Sequence, residues 1–174
     1  MDAKTLAVTH ARSVFTLATG GLVAALAAAC SAEAAPSSGT YTVNFPSVAA
    51  AVATDSVQLM VFDAKGQDPN SVCADLMLKV KSNQDLGPTV LTGPAVAPCD
   101  LAAGAKAVTI PYGEKAIVAL GTSGGVTLLA GCVEETVGAG NLPVSVSLGI
   151  VNTKASVKST TCTKLSDFCS QKCK

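Results

Sequence analysis

Residues 110–120 read Ile-Pro-Tyr-Gly-Glu-Lys-Ala-Ile-Val-Ala-Leu, and this stretch decides the fold. Its Pro and Gly stand where a tight turn favours them, and the run Lys115–Leu120 is apolar on both alternating faces. Because successive strand side chains point to opposite faces, such a run predicts a strand with apolar side chains on each face. Ser123-Gly124-Gly125 then turns the chain into a second apolar run, Val126–Cys132. The stretch therefore predicts a β-hairpin.

Short β-branched runs separated by Gly, Pro, Asn and Asp continue this pattern on either side of the hairpin. Their number and their regular spacing predict an all-β fold, an antiparallel β-sandwich of seven or eight strands over residues 39–151 with little helix. The further strands are expected at Tyr41–Phe45, Val57–Phe62, Cys73–Val80, Val90, Ala107–Ile110 and Leu142–Val151.

The hairpin and the residues after it also carry a family resemblance. Residues 110–120, Gly124-Gly125, Gly131, Ala139-Gly140-Asn141 and the alternating run Val144–Leu148 resemble transthyretin-like and carboxypeptidase-regulatory-like domains. These domains are Ig-like β-sandwiches of secreted bacterial proteins. The resemblance implies a scaffold and supplies no site residues.

The first part of the chain has the organisation of an export signal. Lys4, His10 and Arg12 form a basic start, and the run Ser13–Ala29 that follows carries no charge. As a helix this run would span roughly 25 Å, short of the ~30 Å hydrocarbon core of a bilayer. Small residues follow it, as a signal peptidase requires. We therefore predict a signal peptide over residues 1–29.

Two cleavage sites are compatible with this signal. Ala27-Ala28-Ala29-Cys30 resembles the lipobox of bacterial lipoproteins, in which the cysteine becomes the acylated, palmitate-carrying first residue, although Ala27 stands where Leu is usual. Cys30 is then the lipidation site, residues 30–38 form a flexible tether, and the protein is anchored in the cell envelope, at the outer membrane. The alternative is ordinary cleavage after Ala34, with Ala32 as the other small residue, which gives a periplasmic or secreted protein.

Loss of the signal removes most of the usual catalytic groups. His10 is the only histidine and Arg12 the only arginine, and the chain has no Trp. Serine and cysteine catalytic triads need an imidazole base, and many zinc sites use histidine. Arg is the preferred side chain for bidentate recognition of phosphate or guanine. We therefore expect no enzyme activity, no cofactor, no metal and no nucleic-acid partner.

Six cysteines remain after Cys30, an even number that predicts disulfides in an exported chain, with fifteen pairings open. Half of them lie in the β body and half in a Cys/Lys-rich tail, residues 152–174, so complete pairing requires one or three bonds between body and tail. A helix in the tail would place Cys162 and Cys169 roughly 10 Å apart, too far to bond. We therefore predict a short helical tail stapled to the sandwich by disulfides. The six are Cys73, Cys99, Cys132, Cys162, Cys169 and Cys173.

Three surface features are weaker candidates for a site. The loop Asp63–Asn70 offers oxygen ligands but lacks the pattern of an EF-hand, so a plain turn is favoured over a calcium site. Glu134 and Glu135 are expected to be solvated, since adjacent strand residues point to opposite faces. The excess of lysine in the tail suits anionic lipid headgroups or an acidic partner, or forms a solvated end.

The sequence as a whole resembles the small cysteine-containing lipoproteins of Gram-negative bacteria. It predicts a non-enzymatic cell-envelope lipoprotein that acts as a structural or protein-interaction module, with the membrane as partner through Cys30 and an envelope protein as a further partner. The alternative is a secreted protein that binds a small ligand or inhibits a protease, with Ser82–Pro98 as its recognition loop.

Overall fold

The computed structural model of the protein describes residues 41–104, 108–139, 143–153 and 159–173. The strands of these ranges are β1 (Tyr41–Asn44), β2 (Ser56–Asp63), β3 (Leu91–Thr92), β4 (Gly113–Ser123), β5 (Val126–Val137), β6 (Val144–Ser147) and β7 (Gly149–Ile150). Their helices are α1 (Val48–Ala53), α2 (Ser71–Lys81), α3 (Pro98–Ala102) and α4 (Leu165–Cys169). The expectation of a mainly-β protein with little helix is confirmed.

Most strands belong to one antiparallel sheet with the order β3-β2-β4-β5-β7. Its centre is the hairpin of β4 and β5, as the sequence predicts. Gly124 and Gly125 form the turn with φ of 57° and 78°, values that favour glycine in a tight hairpin. Gly121 lies opposite Leu129 and Thr122 opposite Thr127, so β5 carries one extra residue at this point. The extra residue makes a β-bulge.

The second sheet differs from the expectation of antiparallel pairing throughout. β1 and β6 pair in parallel, with Tyr41 opposite Val144 and Asn44 opposite Ser147. The prediction of strands at these positions is correct, and only the pairing direction is wrong. The alternation of apolar and polar residues in a strand reports which face is buried, and it carries no information on the direction of the partner strand.

The main core combines one face of the five-stranded sheet with side chains from α1 and β6. β4 contributes Ile117 and Ala119 to this core, and both are fully buried. Its alternate residues Ala116 and Val118 belong to a second group of apolar side chains, the helix-side cluster, to which α2 contributes Leu76. β4 is therefore buried on both faces, each of which carries the apolar side chains that its sequence alternates. Other buried members of the main core are Ala50, Ala53, Val57, Leu59, Val61, Ile110, Leu128, Leu129, Val137, Val144, Val146 and Leu148.

The segment Cys73–Val80 was expected to be a strand, and this expectation is wrong because these residues lie in α2. Val72, Cys73 and Leu76 follow one another at helical spacing and pack in the helix-side cluster. The opposite side of the helix faces solvent, and Leu78 is 64% exposed there. A short apolar run is compatible with either a strand or a helix, and burial against β4 and β5 selects the helix here.

Candidate functional site

The six cysteines after Cys30 form three disulfides, which confirms the prediction of disulfide bonding. Cys73 bonds Cys132 within the body, Cys99 bonds Cys169 between body and tail, and Cys162 bonds Cys173 within the tail. The three Cα–Cα separations are 5.5, 5.4 and 5.4 Å, in the usual range for disulfides. A single bond therefore joins body and tail. Complete pairing allows either one or three such bonds, so this number agrees with the sequence analysis.

The bond between Cys73 and Cys132 fastens α2 to β5, and a carboxylate two residues further along β5 assists it. The Glu134 carboxylate accepts a hydrogen bond from the Cys73 backbone N–H at 2.8 Å and another from the Asn70 N–H at 2.9 Å. These amides belong to the start of α2. Asn70 is the N-cap residue of this helix, and its side chain makes no capping hydrogen bond. Glu134 therefore caps the helix from the neighbouring strand.

This capping role corrects the expectation that both glutamates are solvated. Glu134 is only half-exposed and holds α2, whereas Glu135 is exposed, as predicted. The two side chains do follow the alternation of a strand. The expectation is wrong for Glu134 because the N-terminus of α2 lies over the face of β5 that carries this side chain, and the sequence gives no sign of that contact.

The loop Asp63–Asn70 is held by hydrogen bonds and an ion pair. The Gly66 N–H donates to the Glu114 carboxylate at 3.2 Å, and the Lys115 ammonium pairs with Asp63. A shallow pocket of about 290 Å³ lies between this loop and the ends of β4 and β5. Across the described ranges, no group of three or more His, Cys, Asp or Glu side chains is arranged to hold a metal ion. The favoured prediction, a plain turn, agrees with these contacts.

The tail lies against α1, α3 and β1 through Leu165. This side chain borders two adjoining grooves, one of about 350 Å³ with Tyr41, Val43 and Leu101, the other of about 330 Å³ with Val43, Phe45 and Val48. Tyr41, Val43, Phe45 and Leu101 also pack against the main core. Leu165 therefore covers an apolar part of the body. Burial raises the pKa of the Tyr41 phenol in this region.

The proposed recognition loop, Ser82–Pro98, runs for much of its length along β2. Val90 N–H and Gly93 N–H donate to the Val61 and Leu59 carbonyls at 2.7 and 2.8 Å. The Gln58 side chain donates to the Gly93 carbonyl at 3.0 Å. This half of the segment is therefore the edge of the sheet, as the sequence suggests around Val90, and Leu86 in its first half packs against the helix-side cluster.

The predicted signal peptide, the lipidation site Cys30 and the tether over residues 30–38 lie outside the described residues. None of the helices in the described ranges is long and apolar enough to span a bilayer. No protein-family model, curated protein or solved structure matches this chain. The resemblance to transthyretin-like domains therefore stays a prediction.

Proposed function

We propose that this chain is an exported, non-enzymatic protein of the cell envelope that is anchored by a lipid on Cys30 and serves as a structural or protein-interaction module. One observation carries the proposal. The chain has seven cysteines, and the three disulfides use all of them except Cys30. An odd cysteine in a disulfide-bonded exported chain needs a separate role, and this one ends an Ala-Ala-Ala-Cys sequence.

The body of this protein is, on this proposal, a small β-sandwich that acts as a rigid scaffold. Support comes from the main core, in which Val144 and Val146 of β6 share a cluster with Leu59 and Ile117 of the larger sheet. Such a shared core is what two packed sheets produce. The three disulfides rigidify the scaffold further, since each closes a loop of the chain.

The interaction role rests on the chemistry of the exported part and on its surface. Residues 30–174 contain no histidine and no arginine, so they lack the groups that most hydrolases use. Ile150 in the edge strand β7 is 49% exposed, and Val126 at the start of β5 is 51% exposed. Apolar side chains of this size at an exposed sheet edge favour contact with another protein.

Intact mass spectrometry of the protein purified from its host tests the proposal. We expect a chain that begins at Cys30 and carries acyl groups, with six cysteines open to alkylation only after reduction. The substitution Cys30→Ser should abolish both the lipid and sedimentation with membranes. Ala34→Arg is the matched control, because it blocks the alternative cleavage and should leave lipidation unchanged.

A lipid-free chain that begins at Ala35 would overturn the anchor and leave the secreted alternative standing. Two or more free thiols among the six paired cysteines would overturn export into an oxidising compartment as well. Intact mass spectrometry thus tests the lipid anchor and export into an oxidising compartment separately.

A further inference from the structure

The tail is attached to the body in an unusual way. Cys99–Cys169 is the one disulfide between the body and the described tail, residues 159–173, because Cys162–Cys173 stays within the tail. α4 contributes no buried side chain. Its described hydrogen bonds join tail atoms to tail atoms. α4 therefore meets the body through half-buried side chains such as Leu165, without a fully buried one.

The surface beneath α4 is apolar. Leu165 lies between the two grooves that border it, and Val43 lines both of them. Removal of the tail would join the grooves into one and expose side chains that pack on the main core, such as Tyr41 and Leu101. The cost of exposing them opposes release, at roughly 25 cal/mol per Å² of apolar surface. The disulfide keeps Leu165 in place between the two grooves.

The disulfide that joins the tail to the body borders an open cavity. Cys99, Cys169 and Cys173 line one open cavity of about 660 Å³, together with Phe168 and Gln171. Thiol–disulfide exchange requires a thiolate to reach a sulfur of the bond, so this cavity gives a reductant an approach. Cys73 and Cys132 are half-buried as well, and both pack against the helix-side cluster.

We propose that Cys99–Cys169 is a redox-sensitive latch, and that a dithiol reductant opens it to release the tail and join the two grooves on β1, α1 and α3 into one wider apolar surface. One thiolate of the reductant attacks a latch sulfur, the S–S bond breaks, and the other cysteine leaves and takes up a proton. The second thiol of the reductant then resolves the mixed disulfide. The protein gains two electrons and two protons as two thiols, and the reductant leaves as a disulfide.

This latch does not depend on acylation of Cys30, because all of its parts lie in the folded body and tail. Reoxidation reverses it, since a cavity that admits a dithiol also admits an oxidant. The compact tail stays intact when only the latch opens, because Cys162–Cys173 closes it independently.

Titration of the exported, disulfide-intact protein with dithiothreitol tests the latch. Differential alkylation and mass spectrometry report which cysteines have opened at each concentration. We expect Cys99–Cys169 to open at a dithiothreitol concentration at least tenfold below that needed for Cys73–Cys132. In the same window, amide hydrogen exchange should accelerate at least tenfold in Tyr41–Asn44 and in α4, and stay unchanged in the β4–β5 hairpin.

The variant C99S/C169S should show this faster exchange without any reductant, and C73S/C132S should not show it in α4. If the two disulfides open at the same concentration together with exchange in the β4–β5 hairpin, the latch is overturned. Unchanged protection of Tyr41–Asn44 in a folded C99S/C169S protein would overturn it too. If that variant does not fold, the titration of the unaltered protein decides alone.

Discussion

Helices α2 and α4 are each tied to the molecule by one disulfide, yet the rest of their attachment differs. α2 buries Leu76, which is 3% exposed, and Glu134 caps its N-terminus from β5. α4 buries no side chain. The disulfide of α2 therefore adds to a fully buried contact, whereas the disulfide of α4 adds to half-buried contacts alone.

The difference follows from helix length and composition. α2 has eleven residues and presents an apolar side to the sheet, while α4 has five. A helix of one turn has room for few contacts and is not stable by itself in water. The covalent bond between Cys99 and Cys169 therefore matters more for the position of α4 than the bond between Cys73 and Cys132 does for the position of α2.

Removal of each bond should give the largest contrast. The loops closed by Cys73–Cys132 and Cys99–Cys169 span 59 and 70 residues, so loop entropy alone gives each about 4 kcal/mol of stability. We expect C73A/C132A to lose about that much, because α2 stays packed and only the unfolded chain gains freedom. C99A/C169A should lose roughly half or less, since its folded state gains freedom too when the tail detaches.

Urea unfolding followed by circular dichroism measures both losses against the unaltered protein. Equal losses in the two double variants would contradict the comparison, because they would mean that the tail remains docked without its bond. The m-value should fall little in C99A/C169A, since the sheet still unfolds in one transition.

Truncation of one apolar side chain on each helix sharpens the contrast at smaller scale. Leu76→Ala should lower the free energy of unfolding by about 2–4 kcal/mol, the usual cost of a cavity at a buried leucine. Leu165→Ala is the matched substitution on α4 and should cost under about 1 kcal/mol, because Leu165 is only half-buried. A loss at Leu165 as large as that at Leu76 would show that α4 is a packed element of the core.

The sequence predicts the centre of the larger sheet well and its surroundings less well. The β4–β5 hairpin follows from the glycine turn and from an apolar run on both faces, signals that are local in the chain. The run Cys73–Val80 is ambiguous between strand and helix, and the contact that decides it comes from β4 and β5. The parallel pairing of β1 with β6 joins Tyr41 to Val144, and no local signal specifies it.

The pairing of the cysteines also depends on contacts between distant parts of the chain, which local sequence signals do not specify. Parity restricts the bonds between body and tail to one or three, and this follows from the sequence alone. Which cysteines bond depends on where α2, α3 and α4 come to lie. The capping role of Glu134 was missed for the same reason, because its two backbone donors are 61 and 64 residues away in the chain.

The smallest effect concerns the cap that distinguishes α2 from α4. Glu134→Ala removes the acceptor of two backbone N–H groups and should lower the free energy of unfolding by about 1–2 kcal/mol. Glu135→Ala is the matched control on the exposed face of β5 and should change the free energy of unfolding by less than about 0.5 kcal/mol.

Urea unfolding of the two variants, first alone and then in the C73A/C132A background, separates the cap from the covalent bond. A larger loss in that background shows that cap and disulfide hold α2 jointly, because either one keeps the helix start in place when the other is absent. Equal losses in the two backgrounds mean that each acts independently, and no loss in either would remove Glu134 from the account of how α2 is held.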